Sequence, residues 1–69
     1  MDYYVNNDPT YNPGYHHEVH TAEHANELMI KNKTYLGYYI NCFEALHKAK
    51  MFYHDADGCA ICCPLCHRG

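Results

Sequence analysis

The apolar positions of this chain recur with a helical period over two stretches. At about 100° per residue, Tyr15, Val19, Ala22, Met29 and Ile30 share one face and His17, His20 and His24 another, which predicts an amphipathic helix over residues 15–31. Glu18 and Glu23 lie toward its start, Lys31 and Lys33 at its end, and Glu27 with Lys31 makes an i, i+4 pair, the polarity that a helix dipole favours. Leu36, Tyr39, Cys42, Phe43, Leu46 and Tyr53 form a stronger apolar stripe, with Asn41, Glu44 and Lys48 opposite, and predict a second helix over residues 34–56. Gly37 inside that stretch marks a close helix contact, and Gly58, after Asp55 and Asp57, is its stop signal.

The segments between and before these stretches carry turn chemistry. Asn32 can take the left-handed conformation that ends a helix and Thr34 can cap the next, although a single continuous helix fits the same residues. Residues 1–14 hold the clusters Asn6-Asn7-Asp8-Pro9 and Asn12-Pro13-Gly14 and little periodicity, so they read as an irregular arm. Asn12 and Pro13 suit the cap and first position of the first helix. Tyr3, Tyr4, Tyr11 and Tyr15 would lay the arm over the helices as a lid, or offer it to a partner. The expectation is one small, mainly α domain over residues 1–69: an antiparallel two-helix hairpin, an irregular N-terminal arm, and a Cys-rich metal-binding loop over residues 58–69. Such a hairpin brings His16, His17 and His20 beside the cysteine tail.

Size sharpens this expectation. A chain of 69 residues buries only about 60% of its unfolded surface and needs a staple. The N-terminus has neither the basic segment nor the apolar run of a secretory signal, and no stretch approaches the roughly 18 apolar residues of a membrane span, so the chain is expected to be cytoplasmic. Clustered cysteines in a reducing compartment are metal ligands or redox thiols more often than structural disulfides. With five Lys and Arg against eight Asp and Glu, the charge of −3 lacks the cationic footprint of a nucleic-acid binder. Protonation of all seven histidines would carry it to +4, which makes the protein sensitive to pH near the histidine range. Eight tyrosines and no tryptophan point to a core finished by half-polar rings with their hydroxyls at the surface.

The candidate chemistry lies in Cys59-Ala60-Ile61-Cys62-Cys63-Pro64-Leu65-Cys66-His67, which holds four of the five cysteines. Cys63-Pro64-Leu65-Cys66 is a C-x2-C pair, the spacing that lets two thiolates reach one tetrahedral ion. It resembles the C-P-x-C-G knuckle of zinc ribbons and rubredoxins, with His67 in place of the glycine. Cys59 and Cys62 form a second C-x2-C pair, and the adjacent Cys62 and Cys63 are awkward ligands for one ion. The expected set is therefore Cys59, one of Cys62 or Cys63, and Cys66, with a histidine as fourth ligand. His20 is the first choice because it belongs to both H-x3-H pairs, with His16 and with His24. The histidine face could equally be a solvated polar surface, His47 and His54 read as packed or surface residues, and Cys42 as a small core hydrophobe.

A Cys3His set suits zinc; Cu(I) and an iron–sulfur cluster are the alternatives. The reading is a small structural zinc module that presents its surface to a protein partner, without nucleic acid or membrane, and with a homodimer open. Metal handling, as zinc or copper buffering or transfer, and thiol or iron–sulfur redox chemistry are the competing functions. Four protein ligands leave no position for a reacting water, so no enzymatic activity is expected.

Overall fold

Tyr3 and Val5 are buried while the residues on either side of them are more exposed, the alternation of a strand whose one face meets a core. The computed structural model describes residues 1–11 and 15–68. In it the N-terminal residues form strand β1 (Asp2–Asn6), followed by β2 (Thr10–Tyr11), β3 (Tyr15–Thr21), helix α1 (Ala22–Glu27), β4 (Lys33–Tyr38), helix α2 (Cys42–Ala49), β5 (Ala56–Gly58) and a short 3-10 turn at Pro64–Cys66. The strands make one five-stranded mixed sheet in the order β2-β3-β1-β4, with β5 also paired to β3. β1 runs antiparallel to both β3 and β4, and β5 runs parallel to β3.

The mainly α hairpin expected from periodicity is therefore overturned: this is a sheet-rich α+β fold. The irregular arm becomes the strand between β3 and β4. The first expected helix becomes β3 plus a six-residue helix, because Val19 and Thr21 favour extended backbone and Thr21 then caps α1, its Oγ1 accepting the His24 N–H at 3.2 Å. The second shrinks to α2. Asn41 caps it, Oδ1 accepting the Phe43 N–H at 3.1 Å, while Thr34, Tyr35 and Leu36 lie in β4. The left-handed residue that ends α1 is Met29 rather than Asn32: its φ is 58°, and the bonds from Met29 N to Asn26 O and from Ile30 N to Ala25 O complete a Schellman closure. Gly37, with φ 127°, sits at the irregular pairing of β1 with β4 rather than at a helix contact. The proposed cap at Asn12 and Pro13 and the turn at Gly14 lie outside the described residues.

Helix α2 lies over the sheet through Cys42, Ala45 and Ala49, small side chains that let backbones approach closely, above Tyr3, Val5, Val19 and Leu36. Tyr39 and Tyr53 complete the core as half-buried rings, their hydroxyls bonded to Leu36 O at 2.8 Å and Asn7 Oδ1 at 3.0 Å. Asn7 also accepts the Thr34 hydroxyl at 2.8 Å and donates to Asn32 Oδ1 at 3.1 Å, so it ties the β1–β2 connection to β4 and to the chain after α2.

The C-terminal tail is held to this body by several bonds. Cys42 and Cys66 form a disulfide between the start of α2 and the 3-10 turn. Asp57 accepts the Arg68 N–H at 2.9 Å, and His67 Nδ1 meets Gly58 O at 3.0 Å. Gly58 is buried against the tail: a Cβ there would stand 2.6 Å from Cys66 Cβ and 2.9 Å from Cys63 O, so only glycine admits the loop.

Because Cys42 and Cys66 close a loop across 24 residues, replacing either with alanine should cost the same amount, about 3 kcal/mol, and the double replacement little more. Denaturant unfolding of the three variants checks this; a Cys66 variant far less stable than the Cys42 variant would mean that Cys66 does something other than bond Cys42.

Candidate metal centre

The register between β3 and β5 builds the site. Val19 pairs with Gly58, and the Cys59 N–H donates to Val19 O at 3.0 Å, so Cys59 emerges beside His20 at the end of β3. The cap at Thr21 turns the chain into α1 immediately afterwards, which returns His24 to the side of His20 with ring centres 5.5 Å apart. A turn closed by Cys63 N to Cys59 O, at 2.8 Å, then brings Cys62 back to the same point.

His20, His24, Cys59 and Cys62 thus offer four ligand atoms within 4.8 Å of one another, a His2Cys2 group that could hold a metal ion. Cys59 Sγ stands 3.6 Å from His24 Nδ1, and Cys62 Sγ 3.7 Å from His20 Nδ1. A tetrahedral centre with metal–sulfur bonds of about 2.3 Å and metal–nitrogen bonds of about 2.1 Å has S···N edges of about 3.6 Å. Two of the donor separations match such an edge, and the remaining ones are no longer than 4.8 Å. A Rieske-type cluster would instead put the cysteines on one iron and the histidines on another, whereas here each sulfur is paired with a nitrogen.

The surroundings suit a bound cation. His20 is 2% exposed, and Glu18 Oε1 stands 3.5 Å from its Nε2, the ring nitrogen away from the sulfurs, where a carboxylate fixes the tautomer of a ligating imidazole. The Cys63 thiol, 3.9 Å from Cys62 Sγ, donates toward it and holds the Cys62 thiol well below its ordinary range; burial opposes this, and His20, the Thr21 N–H and His24 reinforce it. Cys63 is pushed up by the same contact and by burial. Burial also raises Cys59, against the N–H groups of Cys62 and Ile61, which point at its sulfur. Those N–H···S contacts are the feature of a thiolate knuckle, found here at Cys59 and Cys62 rather than at Cys63 and Cys66.

The expected residues are placed as follows. His20, Cys59 and Cys62 stand in the group. Cys63 is buried beside it with a free thiol, and Cys66 is bonded to Cys42, which is therefore a disulfide partner as well as a core residue. His24 takes a place that the sequence reading gave to a third cysteine; the match of one H-x3-H pair to one C-x2-C pair is the signal for it. His17 leaves the histidine face altogether: it stacks on Tyr53 at 3.8 Å and bonds Asp55 Oδ1 at 2.7 Å. His47 and His54 are exposed. No family model, curated protein or solved structure matches this chain. No helix among the described residues is long and apolar enough to cross a membrane.

Cobalt(II) absorption reads the ligand set directly. Replacing His20 or His24 with alanine, or Cys59 or Cys62 with serine, should abolish the thiolate-to-metal band or weaken binding by well over a hundredfold, whereas Cys63→Ser and Cys42→Ala should keep it and Glu18→Ala should weaken binding by about 10–100-fold. Retention of the band in Cys62→Ser with its loss in Cys63→Ser would reverse the assignment.

Metal binding must also displace the proton that burial holds on Cys59. Lower pH favours that proton, so affinity should fall on acidification, by about tenfold or more per pH unit. A titration repeated across the neutral range that gave a constant affinity would contradict this.

Proposed function

We propose that this protein is a small zinc-binding module in which the ion is structural and the folded surface serves a protein partner. The observation that carries the reading is the pair of S···N separations, 3.6 and 3.7 Å, at the edge length of a tetrahedral ion bound by sulfur and nitrogen. Two thiolates and two imidazoles suit zinc among available metals, and four protein ligands leave no open position for water or substrate, which favours a structural ion over a catalytic one. Structural zinc supplies on the order of 10 kcal/mol of apparent binding free energy, large beside what a core made mainly of Ala, Cys and Val can provide.

The surface supports the partner role. Ile40 is 94% exposed and Leu65 79%, and Phe43 and Met51 line a groove of about 360 Å³ with Tyr39 along α2. Apolar side chains gathered in one exposed groove, as Tyr39, Phe43 and Met51 are, are typical of recognition surfaces.

Chelation tests the structural role. Stripping the metal from folded protein should lower the melting temperature by tens of degrees or leave the α1 and tail region without slow-exchanging amides, and one equivalent of zinc should restore both. Melting unchanged by a chelator that has removed the zinc would end the reading, and uptake of several equivalents would favour metal buffering instead.

A further inference from the structure

Two staples of different chemistry hold one loop. The disulfide of Cys42 with Cys66, the Asp57 bond to the Arg68 N–H and the His67 bond to Gly58 O fasten the tail whether or not an ion is present. The His2Cys2 group fastens the same tail to β3 and α1 through Cys59 and Cys62. Loss of the ion therefore frees two thiols and loosens the loop where it meets β3 and α1, while the disulfide still ties its far end to α2.

The two ligand cysteines differ in access. Cys59 is buried, but Cys62 is half-buried and lines a cavity of about 220 Å³ with Cys63, Phe43 and Leu65. A small polar oxidant such as hydrogen peroxide fits that space. Cys63 Sγ is near Cys62 Sγ, but neighbouring Cα atoms are about 3.8 Å apart, below the roughly 4.4 Å that a relaxed disulfide requires. Cys59 and Cys62 lie three residues apart at the two ends of a turn, where Cα atoms stand within about 7 Å, and their sulfurs lie within 4.8 Å. Cys59 is thus the sulfur positioned to resolve an oxidised Cys62.

We propose that Cys59 and Cys62 are an oxidant-sensitive modification site, at which a hydroperoxide entering beside Cys62 joins the two sulfurs and releases the metal. The inference rests on the metal reading above. Cys62 Sγ attacks one peroxide oxygen; the O–O bond breaks, a sulfenic acid forms and hydroxide leaves. Cys59 Sγ then attacks the Cys62 sulfur; the S–S bond forms, the S–O bond breaks and a second hydroxide leaves. Both hydroxides take protons from solvent. Two thiolates, one hydrogen peroxide and two protons give one disulfide and two waters, and the peroxide accepts the two electrons that the sulfurs lose. The ion, left with two imidazoles, dissociates, and reduction by a thiol regenerates the site on a loop still tied to α2 by the disulfide.

The test uses the full chain loaded with zinc and treated with less than one equivalent of hydrogen peroxide. A chromogenic chelator reads zinc release, and peptide mapping reads the cross-link. The expected result is one zinc released per peroxide consumed, a mass lower by two hydrogens, a cross-link between Cys59 and Cys62, and zinc uptake restored by a mild thiol. Cys63→Ser should give the same stoichiometry. Zinc that stays bound while peroxide is consumed, a cross-link that involves Cys63, or loss of release in Cys63→Ser would each overturn the inference while leaving the structural zinc reading intact. A chain that takes up no zinc before peroxide is added would overturn both.

Discussion

The parallel pairing of β5 with β3 carries more of this structure than its three residue pairs suggest. Ala56, Asp57 and Gly58 pair with His17, Glu18 and Val19, and that register decides that Cys59 leaves the sheet next to His20 rather than next to Glu18 or Thr21. Because side chains alternate along a strand, a slip of one residue would turn His20 away from the cysteines. The register is fixed from both ends. Ala56 and Val19 bury in the core, while the missing Cβ of Gly58 lets the Cys63–Cys66 segment close over the strand. A parallel pair needs a long crossover, and the chain between β3 and β5 supplies it with β4 and both helices, so the ligands come from opposite ends of the fold.

This placement makes sense of so modest a core. Val5, Val19, Ala25, Ala45 and Ala49 are fully buried, yet none is large, and the larger apolar side chains Phe43, Phe52, Met51 and Ile40 stay exposed. Burial of such small groups contributes little, at roughly 25 cal/mol for each Å² removed from water. The disulfide and the four-residue ligand group act at the two ends of the same short loop, where they close connections of 24 and up to 42 residues. Loop closure is the term that core packing in a protein of this size offsets least well.

Much of the chemistry was legible in the sequence and most of the backbone was not, for physical reasons that particular residues show. The cysteine density at 59–66 and the H-x3-H spacing mark a candidate metal site without any structure, since few other arrangements use those residues so closely. The strands were hidden because their buried faces are built from residues that also read as polar. In β3 three consecutive residues, Val19, His20 and Thr21, are buried, so the strand has no alternation of apolar and polar positions to read. In β1 only Tyr3 and Val5 alternate, over a strand of five residues. Leu36, Tyr39 and Cys42 keep a helical spacing by accident of connection length: Leu36 belongs to β4, Tyr39 to the link, and Cys42 opens α2. Only the helical repeat from Cys42 to Leu46 reflects a helix. The disulfide was hidden as well, because pairing Cys42 with Cys66 follows from the packing of α2 over the tail and from no spacing in the sequence.

On the zinc reading, the make-up of the ligand group also accounts for the third tail thiol standing apart. Two thiolates on a divalent cation with two neutral imidazoles form a centre of no net charge, whereas three or four thiolates would leave one or two negative charges to be buried with Tyr3, Val19 and Leu36 nearby. A buried uncompensated charge costs several kcal/mol. Cys63, 1% exposed, escapes that cost by remaining a protonated thiol that donates to Cys62. On the zinc reading, the bond from Cys63 spreads the charge of one thiolate and Glu18 balances the imidazole on the other side, so that the ion sits in a site neutral at its centre and polarised only at its edges.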